Sequence, residues 1–334
     1  VQLRAVRDAD DLARRLADAG LLPSESHERV RNIVASPLSG RVGGIADIRT
    51  LVSHLDAELM RDPDLAALPG RVLFSVDDGR GDVSGQGADI GVHAVGDDSF
   101  ALLLAGQDSG VRIGRAEAVA TMLDAARGFR RERAGHWRIA EMPDGVDTVL
   151  GHVSAGGDVS AGGDVSADRD VSADRDFAAS TIVVSDSAQP PVGWFVQNDA
   201  LVTLGAALAH GVLPARTAQF LAAVDKPIYV TPWRGVVLVD LEEGVAEQVV
   251  RVLAPMGLIF DAESPWVRVS SCVGSPGCAK SNSDVRADLD AAVQNGEIGQ
   301  GREHWVGCER RCGRPHGNVT DVVATAEGYQ RSTE

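Results

Sequence analysis

All four cysteines of this chain fall in its last 63 residues, at Cys272, Cys278, Cys308 and Cys312. The pattern is C-x5-C, a gap of 29 residues, then C-x3-C. Two close pairs of thiols, far apart in sequence, can surround one metal centre only if the fold brings two loops together. That requirement limits the C-terminal third more than any other feature does.

At 334 residues the chain is long enough for two or more ordinary domains. Its 44% hydrophobic content supports real cores, and with only 4% aromatic residues those cores are built from Val, Leu, Ile and Ala. The net charge of −16 is spread along the chain and argues against a nucleic-acid binder, which carries a basic footprint. An anionic ligand must then be held by a local arginine cluster working against the global field. Apolar runs such as Phe100–Ala105 are too short to span a bilayer. Clustered cysteines without a signal peptide point to a reducing cytoplasm rather than a secreted disulfide framework. The first residue is Val1, and the chain enters in a strand-like stretch, Val1-Gln2-Leu3-Arg4. A fragment or a misassigned start is expected, with some tens of residues missing upstream.

Hydrophobic periodicity predicts amphipathic helices over 9–22 and 47–61, then a turn at Leu68-Pro69-Gly70 and a strand over 72–76. Residues 88–95 and 99–105 read as a hairpin, followed by a helix over 115–131. Further on, strands are expected at 193–200, 228–231, 236–241, 266–270 and 319–324. Helices are expected near 214–224, 243–254 and 284–295.

Between these parts, Val153-Ser154-Ala155-Gly156-Gly157-Asp158 recurs at 159–164 and continues as two Val-Ser-Ala-Asp-Arg-Asp hexamers at 165–170 and 171–176. Hexamers of small and polar residues bury too little apolar surface to offset chain entropy, so a linker or surface loop is expected. A second repeat relates residue n to n+237. Gly20-Leu21-Leu22 falls on Gly257-Leu258-Ile259, Val30-Arg31 on Val267-Arg268, and Ala35 on Cys272. Leu12 and Leu16 fall on Val249 and Leu253. Helix, glycine turn, strand and Ser-Pro loop thus occur twice, which predicts a duplicated scaffold.

The cysteine spacing leaves three alternatives. Zinc knuckles usually use C-x2-C or C-x4-C, so the five-residue spacer is atypical for structural zinc. A cubane iron–sulfur cluster is a larger object and accepts looser spacers. Four unligated buried thiols are the third alternative, disfavoured by the neighbouring Gly274, Gly277, Gly307 and Gly313, which let backbone approach a cluster. His304 and His316 lie near the cysteines and read as polar loop residues rather than ligands.

The spacing C-x5-C-xn-C-x3-C after a duplicated half resembles the sirohaem-type nitrite and sulfite reductases. Ser275-Pro276-Gly277-Cys278-Ala279-Lys280 and Gly307-Cys308-Glu309-Arg310-Arg311-Cys312-Gly313-Arg314-Pro315 look like the precorrin-3B synthase family within that superfamily. The run from His27 to Leu38, Leu68-Pro69-Gly70-Arg71 and Asp77-Asp78-Gly79 are similar to it as well. The resemblance spans nearly the whole chain outside the hexamers.

The resemblance implies an α+β fold of duplicated ferredoxin-like half-domains with nitrite/sulfite reductase-type α/β halves, related by a pseudo-twofold. Its expected divisions are 1–62, a first ferredoxin-like half; 63–150, a first reductase-type half; 151–189, the hexamer linker; 190–265, a second ferredoxin-like half; and 266–334, the cluster-binding half. It implies a 4Fe–4S cluster on Cys272, Cys278, Cys308 and Cys312, with Cys312 bridging to sirohaem or a non-haem iron. The implied reaction is C-20 hydroxylation of precorrin-3A with lactone formation, using O2 and electrons from NADH, directly or through an electron-donating reductase. The alternatives are a sirohaem-dependent nitrite or sulfite reductase, and a non-catalytic chain, either a cluster- or zinc-stabilised binding protein or an inactive cluster-binding fragment. Arg31 and Asn32 fall at a pocket position of the reductases, and Arg71 at the first of two pocket lysines, whereas the second lysine's place holds Leu73. That departure suits a larger, partly apolar substrate. Arg310, Arg311 and Arg314 add a basic patch for its carboxylates. A further family arginine, in a Thr-x-Arg motif, is expected upstream of Val1, and Thr231-Pro232-Trp233-Arg234 is its expected counterpart in the second repeat.

Overall fold

The computed structural model describes residues 2–22, 24–153, 182, 184 and 188–333. The hexamer tract from Ser154 onward lies outside the described residues, as does Val1. Two compact units divide the chain. The first comprises Val1–Val34, Arg49–Val76 and Ala88–Val183; the second comprises Ala35–Ile48, Asp77–Gly87 and Val184–Glu334.

The first unit opens with α1 (Ala9–Asp18), capped by the Asp8 carboxylate on the Asp11 N–H. Helix α1 ends four residues before its sequence-based limit because Gly20 takes a left-handed φ of +67°. Residues 2–4 form no strand, contrary to expectation. Strand β1 (Ile33–Ala35), helix α2 (Arg49–Arg61) and strands β2 (Phe74–Asp77), β3 (Ile90–Gly96), β4 (Ser99–Leu104) and β5 (Gln107–Gly114) follow. The sheet runs in the order β1-β2-β3-β4-β5, and β3, β4 and β5 pair antiparallel. Helix α3 (Arg115–Glu132) buries Val119, Met122, Ala126 and Phe129 against this sheet, and α2 adds Leu51, Leu55 and Leu59. A short α4 (Gly145–Leu150) packs on α3. The half-exposed, polar β5 carries no alternating pattern and is legible only from its pairing with β4.

The second unit holds two sheets. Its first is built from β6 (Gly193–Val196), β7 (Val202–Leu208), β8 (Ile228–Val230), β9 (Gly235–Leu241) and β10 (Leu258–Ile259). The order is β10-β7-β9-β8, with β6 also on β7, and all pairs are antiparallel. Helices α5 (Ala215–Ala222) and α6 (Glu243–Leu253) cover one face through Leu221, Val249 and Leu253, packed with Leu204 and Leu238. Val237 and Val239 on the other face pack against Leu38 and Val42. Both faces of β9 are therefore covered, which is why it reads as a continuous apolar run rather than an alternating one. The 35–48 segment is anchored there by Arg41, whose guanidinium donates twice to Asp240 at 2.7 Å.

The second sheet joins β11 (Val269–Ser271), β12 (Glu303–Val306), β13 (Thr320–Thr325) and β14 (Gly328–Thr333) in that order. Strands β11, β12 and β13 are parallel, and β14 is antiparallel to β13. Helix α7 (Val285–Gln294), capped by Asp284, supplies Val285 and Leu289 to its core. The strand expected over 266–270 is a turn of 3-10 helix at Pro265–Val267 followed by the shorter β11. Strands β7 and β12 escaped the sequence reading. The first is an Ala/Gly-rich run and the second has only four residues, so tertiary packing rather than propensity makes them strands.

The duplicated elements take matching local forms. Helix α1 leads to Gly20 and β1, and α6 leads to Gly257 (φ +98°), then past Leu258 and Ile259 to β11. They differ in packing, since α6 buries Ala246, Val249 and Leu253 while α1 buries no residue. Among the described residues no helix is long and apolar enough to cross a membrane.

The Asp77–Gly87 segment of the second unit folds around its own acids. The Asp77 carboxylate accepts the N–H groups of Gly79, Gly81, Val83 and Ser84 at 2.9–3.0 Å. Asp78 is paired with Arg80, and Asp82 accepts from Ser36 Oγ at 2.5 Å. Oxygens of Asp77, Asp78 and Asp82 lie within 4.8 Å of one another. Burial, aided by the Asp77 charge, pushes the Asp82 carboxyl up to about 7.

Two expectations follow. A Cβ on Gly205, in the middle of β7, would overlap the Pro191 carbonyl oxygen. Gly205→Ala should therefore lose about 1–3 kcal/mol, read from the denaturant midpoint. Asp82 has its folded-state pKa above the unfolded one, so its proton stabilises the fold at low pH, and that contribution is lost as pH rises from about 4 to about 7. The loss is roughly 4 kcal/mol at most. Asp108, held at about 2 by Arg112, acts oppositely and only below the ordinary carboxylate range. Asp82→Asn should flatten the stability profile between pH 4 and 7 and exceed the parent's stability at pH 8; an unchanged slope in chemical melts would contradict the assignment.

Candidate functional site

Parallel pairing of β11 with β12 sets the geometry of the cysteines. In a parallel pair both strands end at the same edge, and the loops leaving those ends are neighbours. Cys272 follows β11, and its N–H donates to the Trp305 carbonyl at 2.9 Å. Cys308 follows β12 after Gly307. The Gly307 N–H donates to Cys272 Sγ at 3.3 Å, and its carbonyl accepts the Asn282 N–H at 2.8 Å. Gly307 therefore ties the two cysteine loops together. A side chain is excluded there, because a Cβ would overlap Ser281 Oγ.

Each loop has its own internal support. In the first, Cys278 N–H bonds the Gly274 carbonyl at 2.8 Å, and Ser275 N–H bonds the Ser283 carbonyl at 2.9 Å. Gly274 is left-handed (φ +66°), and a Cβ there would stand 2.8 Å from the Val285 nitrogen. In the second, the Arg311 N–H reaches the Cys308 carbonyl at 3.3 Å, with Arg311 at φ +47° and Gly313 at φ +80°. All four thiols are free; Cys272, Cys278 and Cys308 are half-buried and Cys312 is exposed.

The donor set can be tested against the metals its spacing left open. A tetrahedral thiolate zinc with bonds of about 2.3 Å places its sulfurs about 3.8 Å apart. Among the described residues no three of these sulfurs lie within 4.8 Å of one another. Free thiols, two glycine-lined loops at one sheet edge, and an N–H···S hydrogen bond fit a larger centre such as a cubane.

The surroundings of the second pair are cationic. Buried Asp321 on β13 receives Arg314 Nε at 3.0 and 3.1 Å and lies 3.4 Å from Arg311 Nε. Arg310 is exposed. Arg234 donates to the Gly313 carbonyl at 3.0 Å, and burial together with the charge of Arg302 lowers its pKa. Arg302 donates to the His316 carbonyl at 3.1 Å. A Cβ on Gly87 would stand 3.7 Å from the His316 ring, so the end of the Asp77–Gly87 segment lies beside this loop.

His304 corrects the sequence reading, since it is a fully buried residue of β12 rather than polar loop surface. Its Nε2 faces the Cys312 carbonyl at 3.2 Å and its Nδ1 faces Ser270 Oγ at 2.8 Å. Burial pushes its pKa down to about 4, so the ring is neutral near pH 7 with its proton on Nε2, toward the carbonyl. His316 is exposed.

The remaining residues expected at the site belong to the first unit. Arg31 makes a bidentate pair with Asp56 at 2.8 and 2.7 Å. Asn32 Nδ2 donates to the carbonyls of Arg29, Gly70 and Val72 at 3.0–3.1 Å. Arg71 is exposed, with Glu141 at 3.4 Å. The structure thus assembles the cysteines with Arg310, Arg311 and Arg314 in one unit and places Arg31, Asn32 and Arg71 in the other. Asp321 and the clasp at Gly307 were not foreseen. The small Gly307 beside Cys308 was visible in the sequence, but its partners Ser281 and Asn282 were not.

No protein-family profile matches the chain, and no curated protein matches it. Among solved structures it is similar to the NirA protein of Mycobacterium tuberculosis, at 16% identity and a TM-score of 0.60. The match covers 90% of this chain and 60% of NirA, so the chain spans about 60% of that protein's length. The mixed α+β architecture, with three sheets and seven helices among the described residues, is a fold similar to that of the NirA protein.

Proposed function

We propose that this chain is an iron–sulfur oxidoreductase whose four cysteines hold one 4Fe–4S cluster, and that it acts as a precorrin-3A monooxygenase of the precorrin-3B synthase type. The observation that carries the first part is the delivery of both cysteine pairs to one edge of a parallel sheet, joined through Gly307. When bound, the cluster supplies one-electron transfer. The Gly307 N–H donates to Cys272 Sγ, a contact that would orient this sulfur as a ligand. Cys312, the exposed thiol, is the residue that would also hold a second iron, sirohaem or non-haem.

Substrate choice rests on the resemblance and on charge. A precorrin carries many carboxylates, and on a chain of net charge −16 it needs a local guanidinium cluster. Arg310 stands exposed beside the cysteines, while Asp321 fixes Arg311 and Arg314 in place and compensates part of their charge. NADH, directly or through a partner reductase, is the proposed electron source, and O2 the oxidant. A reducing cytoplasm suits four free thiols. The likeness to NirA favours a second reading, sirohaem-dependent reduction of nitrite or sulfite. Leu73 at the place of a pocket lysine weighs against it, because a small oxyanion needs the full cationic set.

Protein purified without oxygen should contain about four irons and four sulfides per chain; one zinc and no sulfide would sink the cluster assignment. Cys312→Ser should lose the cluster or any coupled iron, measured by metal analysis and electron paramagnetic resonance. Oxygen-dependent conversion of precorrin-3A separates the two readings, and turnover of nitrite or sulfite in its place would overturn the first.

A further inference from the structure

The turn Ala209–Gly211 follows β7 and puts two consecutive residues in the left-handed region, His210 (φ 56°, ψ 10°) and Gly211 (φ 65°). For a non-glycine residue this backbone carries a steric cost and persists only where the surroundings hold it. Three side chains hold His210. Its Nδ1 lies 3.0 Å from Ser271 Oγ, its Nε2 lies 3.0 Å from Asp290 Oδ1, and its ring meets Trp266 edge-on with centroids 4.9 Å apart. Ser271 is the last residue of β11, immediately before Cys272, and Asp290 lies on α7, which receives the chain after Cys278. One imidazole therefore links the strand before Cys272 to the helix that follows the loop carrying Cys272 and Cys278.

The same turn supports the other pair. A Cβ on Gly211 would stand 3.0 Å from Arg234 Cδ, so the arginine side chain lies across the glycine. Arg234 is itself left-handed (φ 59°) and reaches the carbonyl of Gly313, the residue after Cys312. Two strained non-glycine residues thus direct their side chains to the neighbours of the first and last cysteines.

We propose that His210 and Arg234 are positioning residues: braced on one turn, they hold the Cys272–Cys278 loop and the Cys308–Cys312 loop in register. The brace stands on contacts within the chain; its bearing on a metal centre rests on the reading of the four cysteines as one ligand set.

The test is amide hydrogen exchange on the reduced, metal-free full chain. His210→Leu should speed exchange about fivefold in residues 271–278, the scale of one lost hydrogen bond, and leave 311–316 unchanged. Arg234→Met should do the reverse. His210→Asn, which tolerates the left-handed backbone and keeps a polar group, and Arg234→Lys should each restore part of the protection. Exchange that rises equally in both segments, or in neither, overturns the proposal, as does an Asn variant no better protected than Leu. Iron and sulfide uptake is measured separately. A parent chain that takes up no iron, in a set whose variants keep the crossed pattern, refutes the ligand-set reading and leaves the brace standing.

Discussion

The candidate site depends on one backbone group that cannot carry a side chain. Gly307 lies where the loop after β12 passes the loop after β11, and there it gives its N–H to Cys272 Sγ and takes the N–H of Asn282 on its carbonyl. Any Cβ would displace Ser281 and, with it, the segment that follows Cys278. Parallel pairing brings the two loops to one edge, and the missing side chain lets them close on each other. Without either condition, C-x5-C and C-x3-C would be two unrelated thiol pairs.

Around this clasp the chain handles charge by local pairing. Buried carboxylates sit where they can be used, as with Asp321 against Arg314 and Arg311 and with Asp77 inside its ring of N–H groups. Such acids cost little once fully hydrogen-bonded and would be expensive if left alone. Asp82 is the exception, since burial, beside two other carboxylates and one arginine, lets it hold its proton to about pH 7. A neutral His304 behind Cys312 avoids adding another cation to a region that already contains Arg234, Arg302, Arg311 and Arg314.

Legibility in the sequence followed the strength of the local signal. Helices α2, α3, α6 and α7 and the β3–β4 hairpin were readable because their apolar periodicity and turn glycines act within a few residues. Strands β7 and β12 were not. Val202–Leu208 owes its strand state to β9 and β6 on either side, and Glu303–Val306 owes its own to β11 and β13. His304 was misjudged for the same reason, because a strand hidden from the sequence also hides what it buries.

By itself the sequence determined the ligand set worth testing, the four cysteines and their glycine neighbours, since spacing and residue type are written along the chain. It also exposed the helix–glycine–strand repeat that β1 and β11 follow. Only the tertiary structure decided that the two pairs share a sheet edge, that Arg311 and Arg314 converge on Asp321, and that His210 and Arg234, meeting at one turn, each reach one cysteine loop. Those relations join residues from 7 to 79 positions apart, and no local propensity encodes them. They arise from strand order and from the need of each buried polar group for a partner.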